Sequence, residues 1–443
     1  MVTRPAPGSQ LPAGGTARRG PLRRLADLRS TSPGRLRLWL GTLVALGLLT
    51  GLVAGVTGAS ARAGTADLGG RAQPLLVEAE AIYSALADAD ATATQAFLAG
   101  GLEPAKLTDR YDEDLKRATT ALTSAARRTP EDSAAGVAVR NLSAGIPEYA
   151  DLVATARAEN RQGLPVGASY LAAASRFNRD TLLPQAQALF AGARGEVDGG
   201  FRSAASTGWV VLLAGSLVVL LVALVATQRY LSRSTRRTFN VPLLAATGVT
   251  LVLALAAGGL LIAQSVHLHR ADRQGATPVA VIAEGRILAL RIRGDEALTL
   301  AARGSDPEPE KRLTAAAAQL ERERGPLHNA WSTLDPALGQ VMDRAATGFA
   351  DYQDLHKQVR AKDDGGDYEG AVKLAVDPAT ATVFEGVRQS LDDALTDRKQ
   401  VFTHEIGAAG SGLALFAVAG PVLALIVCFL AFAGMRPRLE EYR

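Results

Sequence analysis

Two sets of residues able to recognise a ligand recur 203 positions apart: Tyr149, Asp151 and Arg157, then Tyr352, Asp354 and Arg360. A phenol, a carboxylate and a guanidinium at that spacing fit a ligand or partner site present twice, because Arg forks around oxyanions and Tyr adds a donor. They fit equally a charged helix surface with a Tyr covering the interior. Arg286, Arg291 and Arg293 form a third cluster, but 204 positions earlier stand Ile82, Ala87 and Ala89. A shared anion site at that place is therefore not expected.

No catalytic constellation accompanies them. The chain has no GxxxxGK[ST], HExxH or GxSxG, and no GxGxxG after a strand. Its single Cys, Cys428, excludes an internal disulfide framework and Cys-rich metal sites. His267 and His269 stand two apart, about 200° around a helix, and cannot share a metal. A non-enzymatic protein without cofactor or metal is the expectation.

The elements that must hold these residues are set by hydropathy. Of the 443 residues 48% are apolar but only 5% aromatic, a mixture of Ala, Leu, Val and Gly that suits helices better than sheets. Four charge-free stretches reach the roughly 20 residues needed to cross a bilayer, at 38–58, 208–227, 241–266 and 408–435. The spacing predicts a cytoplasmic, disordered Arg-rich tail over 1–37, a cytoplasmic link over 228–240 and a cytoplasmic tail over 436–443. These carry net charges of +7, +4 and +1, so the positive-inside rule places both termini in the cytoplasm of a multi-pass plasma-membrane protein. The polar stretches 59–207 and 267–407 are then extracytoplasmic and carry −8 together. A cleavable signal peptide ending near Ala61, Arg62 and Ala63 is the competing reading of the first span, whose apolar run is long for that role.

The halves read as parallel copies of one unit, span, outer domain, span. Beyond the Tyr, Asp and Arg matches, Gly145, Gly163, Gly167 and Leu171 pair with Gly348, Gly366, Gly370 and Leu374, while Pro74 and Glu80 pair with Pro278 and Glu284. Each outer stretch divides into four helical runs, including 71–99 and 277–303, then 133–161 and 338–363. Short connections make neighbouring helices antiparallel. The fold class expected is an all-α membrane protein: four transmembrane helices and two tandem extracytoplasmic four-helix bundles from an internal duplication. Gly69-Gly70 and Gly199-Gly200 are places where outer helices and spans could be interrupted.

Gly47, Gly51 and Gly55 fall on one face of the first span, where a second helix can approach closely. That face serves static packing or an interface that shifts. Arg229, Arg233, Arg236 and Arg237 attract anionic lipid and also offer a docking surface to an acidic partner. The spans lack ionisable residues near their midpoints, which argues against transport. Cytoplasmic pieces of about 37, 13 and 8 residues are shorter than the ~50 residues of a small domain, so a built-in kinase, cyclase, phosphatase or methyl-accepting output domain is not expected. Nucleic acid has no soluble domain to bind.

This plan resembles the GlnX type of actinobacterial membrane protein, and the resemblance rests on architecture across the whole chain. It implies work with an extracytoplasmic amino-acid-binding lipoprotein and a cytoplasmic Ser/Thr kinase, protein kinase G, relaying acidic amino-acid availability. It transfers no site residue. Each outer region also resembles the four-helix sensor bundle of chemoreceptors, without their cytoplasmic hairpin. The leading expectation is thus a transmembrane sensor or adaptor, monomeric or dimeric. The alternatives are a cell-envelope scaffold or assembly factor and, last, a transporter component.

Overall fold

The computed structural model describes residues 32–100, 103–205, 207–235, 240–303, 306–332 and 336–440. Among them every regular element is a helix, and four helices are long and apolar enough to cross a membrane. The chain is an all-α, multi-pass membrane protein. It forms two compact units, one of residues 1–58, 207–258 and 415–443, the other of residues 59–206 and 259–414.

The first unit holds the apolar helices. These are α1 (Ser32–Asp67) up to Gly58, α7 (Thr207–Thr235), the first part of α8 (Val241–Arg270) and most of α14 (Leu413–Glu440). Leu52, Val211, Val222, Leu255, Leu415 and Phe429 turn outward, more than half exposed. Such a surface is stable against hydrocarbon and not against water. Inside the unit, polar side chains return to backbone. Thr57 donates to the Val53 carbonyl at 2.7 Å, and Asn240 donates to the Gly434 carbonyl at 2.8 Å. Trp39 and Tyr230 lie near each other, ring centres 6.5 Å apart.

The glycine stripe faces α14. A Cβ at Gly47 would stand 2.5 Å from the Cys428 sulfur, at Gly51 2.9 Å from the Ala424 methyl, and at Gly55 3.0 Å from the Pro421 ring. Only hydrogen fits there, which sets the approach of the two helices. Cys428 is thereby a buried packing atom.

The second unit holds both polar stretches. After a π-helical turn at Leu68–Ala72 come α2 (Gln73–Leu98), α3 (Ala105–Ala126), α4 (Ala134–Arg161), α5 (Val166–Phe177), a second π turn at Asn178–Leu182, and α6 (Leu183–Ala205). The later half has a similar order without the second π turn: a π turn at Ala271–Ala276, α9 (Thr277–Ala301), α10 (Glu308–Ser332), α11 (Pro336–Asp364), α12 (Tyr368–Ala375) and α13 (Pro378–Gly410). Gly69-Gly70 falls in the first π turn, so helical hydrogen bonding widens there without stopping, and Gly199-Gly200 lies inside α6.

In the first half α2 packs on α3 and α6, while α4 packs on α5 and α6. In the second, α9 packs on α10 and α13, while α11 packs on α12 and α13. The two halves meet along α2 and α9, which touch only small groups where Gly294 passes Ala91. Both central helices are buried nearly all round, so their spacing carries no clear polar face.

Chain reversals are cut by glycine at matching places. Gly163 and Gly366 have φ of +71° and +84°, a conformation that costs other residues energy. After each, the next amide reaches back five residues, Leu164 to the Glu159 carbonyl and Asp367 to the Lys362 carbonyl. This is the Schellman closure of a helix end. The caps Ser133, Asp367 and Asp377 then open α4, α12 and α13 by accepting from Gly136, Gly370 and Ala379 amides.

Candidate functional site

Tyr149 and Tyr352 are fully buried, each aimed at an acid on the central helix of its own half. Tyr149 donates to Asp90 at 3.3 Å, and Ser175 donates to the same carboxylate oxygen at 2.8 Å. Tyr352 donates to Glu296 at 2.5 Å, alongside Arg293 at 2.7 Å. Burial pushes the Asp90 carboxyl and both phenols upward. The repeated acids stand apart from these tyrosines. Asp151 is exposed, and so is Asp354, which pairs with Lys357 at 2.8 Å. Arg157 lies 3.2 Å from Glu103 and 4.3 Å from the centre of the Tyr111 ring. Arg360 pairs with Asp363 at 2.6 Å and Asp364 at 2.5 Å. The structure thus leaves the repeated Asp residues outside the clusters, while Tyr111 lies between Arg157 and Tyr149, its ring centre 6.4 Å from that of Tyr149, and Arg360 lies 3.8 Å from Glu310.

A residue outside the repeated set completes the second cluster. His356, where the first half has Val153, sits between Glu296 at 2.9 Å and Glu310 at 3.3 Å. Burial opposes its protonation, but the two carboxylates prevail and raise it to about 9. Burial likewise opposes a charged Glu296, yet His356 and Arg293 hold its carboxyl below the ordinary range.

The densest charge cluster joins the two halves. Arg286, buried on α9, reaches Asp88 on α2 at 2.5 Å and Asp392 on α13 at 2.5 Å. Arg110 on α3 approaches Asp88 at 3.5 Å and Glu385 at 3.1 Å. Lys399 of α13 pairs with Glu80 of α2, and Arg179 of the first half pairs with Asp295 of the second at 2.9 Å. Asp114, buried beside Arg117, is pushed up to about 7 by burial and then by Asp88. Desolvation makes such pairs modest contributors to stability, yet removing one partner strands the other. The seam is therefore specific in register while remaining polar. Among the three clustered arginines, Arg286 and Arg293 are interior ion-pair partners and Arg291 approaches the Tyr83 hydroxyl at 3.4 Å.

The sequence spacing missed this seam. The signal available was Glu80, Ser84 and Asp88, an i, i+4 polar row on a helix rich in Ala and Leu, whose two acids pair with Lys399 and Arg286 of the other half. Elsewhere, His267 contacts Glu405 at 2.6 Å. Arg229 and Arg233 are exposed at the end of α7, while Arg236 and Arg237, like the 1–31 tail, lie outside the described residues.

Fold and site together define a multi-pass helical membrane protein whose non-membrane unit is built around a polar seam. Residues 64–202 match the family model of the actinobacterial sensor domain, a stretch running from the end of α1 to α6. The match supports a sensor protein of actinobacterial type. No curated protein and no solved structure matches the chain.

Proposed function

We propose that the protein is a non-enzymatic transmembrane sensor or adaptor that relays an extracytoplasmic cue to a cytoplasmic Ser/Thr kinase. The observation that carries this reading is the sensor-domain match between the first two candidate spans. The cue is acidic amino-acid availability, delivered by a solute-binding lipoprotein, as the resemblance to GlnX-type proteins implies. A seam held by charge pairs supports the relay, because exchanging ion-pair partners lets two helical halves take discrete arrangements. The external partner must bind those arrangements with different affinity for a signal to pass.

On the cytoplasmic side Arg229, Arg233, Arg236 and Arg237 form the kinase-facing contact. Replacing all four by Gln should abolish amino-acid-dependent phosphorylation by the kinase in cells while the protein stays in the membrane fraction. Undiminished phosphorylation would exclude the link as the output surface.

A further inference from the structure

A cleft of about 410 Å³ opens between the halves, with α5 on one side and the end of α9 and start of α10 on the other. That volume is within the range of small-molecule sites. Four arginines line it, Arg176, Arg179, Arg303 and Arg312, together with Asp180 and Asp306.

The arginines are not spent on one another's neighbours. Arg179 and Arg312 both donate to a single oxygen of buried Asp295, each at 2.9 Å, which leaves guanidinium N–H groups over. Neither Arg176 nor Arg303 has a carboxylate partner among the described residues. Arg303 instead stacks on the Tyr368 ring, 4.6 Å from its centre. Between the cations, Ala172 and Leu298 give the cleft an apolar floor.

Two observations show that helix packing does not require this arrangement. At 203 residues from Arg176 and Arg179 stand Ala379 and Thr382, and at 204 from Arg303 and Arg312 stand Ala99 and Thr108. Arg303 also has φ +46°, the left-handed conformation that Gly100 occupies in the first half. A bulky residue held there at an energetic cost is a mark of function.

We propose that this cleft binds a small organic dianion, with carboxylate or phosphate ends gripped by the arginines and a short hydrocarbon body on the apolar floor. Guanidinium forks match both kinds of oxyanion. Since the two walls come from different halves, a bound dianion would bridge the seam. The assignment deepens the sensor reading by placing a ligand directly in the unit that carries the sensor-domain match.

Titration calorimetry on the full chain in nanodiscs, with succinate and glycerol phosphate as probes and succinamide as the neutral control, tests it. At least one dianion should bind and succinamide should not. Arg303→Gly suits the local backbone, so it should fold at least as stably and weaken binding roughly tenfold or more. Arg140→Ala, at an exposed arginine near the start of α4 that does not line the cleft, should leave binding unchanged. Failure of both dianions to bind, equal binding of succinamide, or full affinity in Arg303→Gly would overturn the proposal. Binding without any kinase response would preserve the cleft and overturn the relay, whereas a kinase response without binding would do the reverse.

Discussion

At the scale of single residues, the unit outside the spans stores charge in its interior, and two groups should make its stability depend on pH. His356 has a folded value of about 9, above its ordinary 6.5, so its stabilisation is full below pH 6.5 and is lost as pH rises through 9. The shift corresponds to at most about 3 kcal/mol. Asp114, raised to about 7 from 3.8, acts in the same direction at lower pH, losing stability between those values. Above the range in which the lowered carboxyls of Glu296, Glu310 and Glu385 gain stability, thermal midpoints of the purified protein in nanodiscs should therefore fall as pH rises from 6 to 9. His356→Gln should flatten the upper part of that profile and Asp114→Asn the lower, and a wild-type midpoint rising with pH would contradict both assignments. Neither residue stood out in the sequence, where one His and one Asp on charged helices look like solvated surface. Their significance depends on neighbours 46 to 60 residues away for His356, and for Asp114 on burial and on Asp88 of the preceding helix. Tyr149 and Tyr352 were easier to find, since a large side chain repeated at a fixed interval marks a packing position that two similar helix groups both need.

At the scale of elements, the helices themselves were legible because their signals are local. Charge-free length marks the four candidate spans, Gly163 and Gly366 mark helix ends, and the runs 133–161 and 338–363 fall where α4 and α11 form. What local spacing could not supply is which helix faces which, because α2 and α9 are buried on almost every side. The glycine stripe of α1 marks a close helix contact without naming the partner, which is α14. Gly51→Leu should force these two helices apart and cost about 1–3 kcal/mol, the usual penalty of overpacking. Gly41→Ala should cost little, because nothing lies within 4 Å of a Cβ there. Unfolding midpoints in mixed micelles compare the two, and equal midpoints would mean that α14 does not seat on the stripe.

At the scale of the molecule, a formal charge of +4 conceals a polarised chain, with +12 on the three short pieces 1–37, 228–240 and 436–443 and −8 on the two long polar stretches. Those stretches fold into one unit across a seam of small residues and buried ion pairs. In the proposed relay, rearrangement at this seam carries the cue to the kinase. Ala91 and Gly294 meet there, a Cβ at position 294 lying 3.7 Å from the Ala91 Cα. Such a separation brings paired cysteines within reach of a disulfide. The most direct measurement follows kinase-dependent phosphorylation in cells bearing Ala91→Cys and Gly294→Cys together, before and after acidic amino acids are added. Oxidation should lock the halves and abolish the response, and reduction should restore it. A full response from completely cross-linked protein would contradict the account.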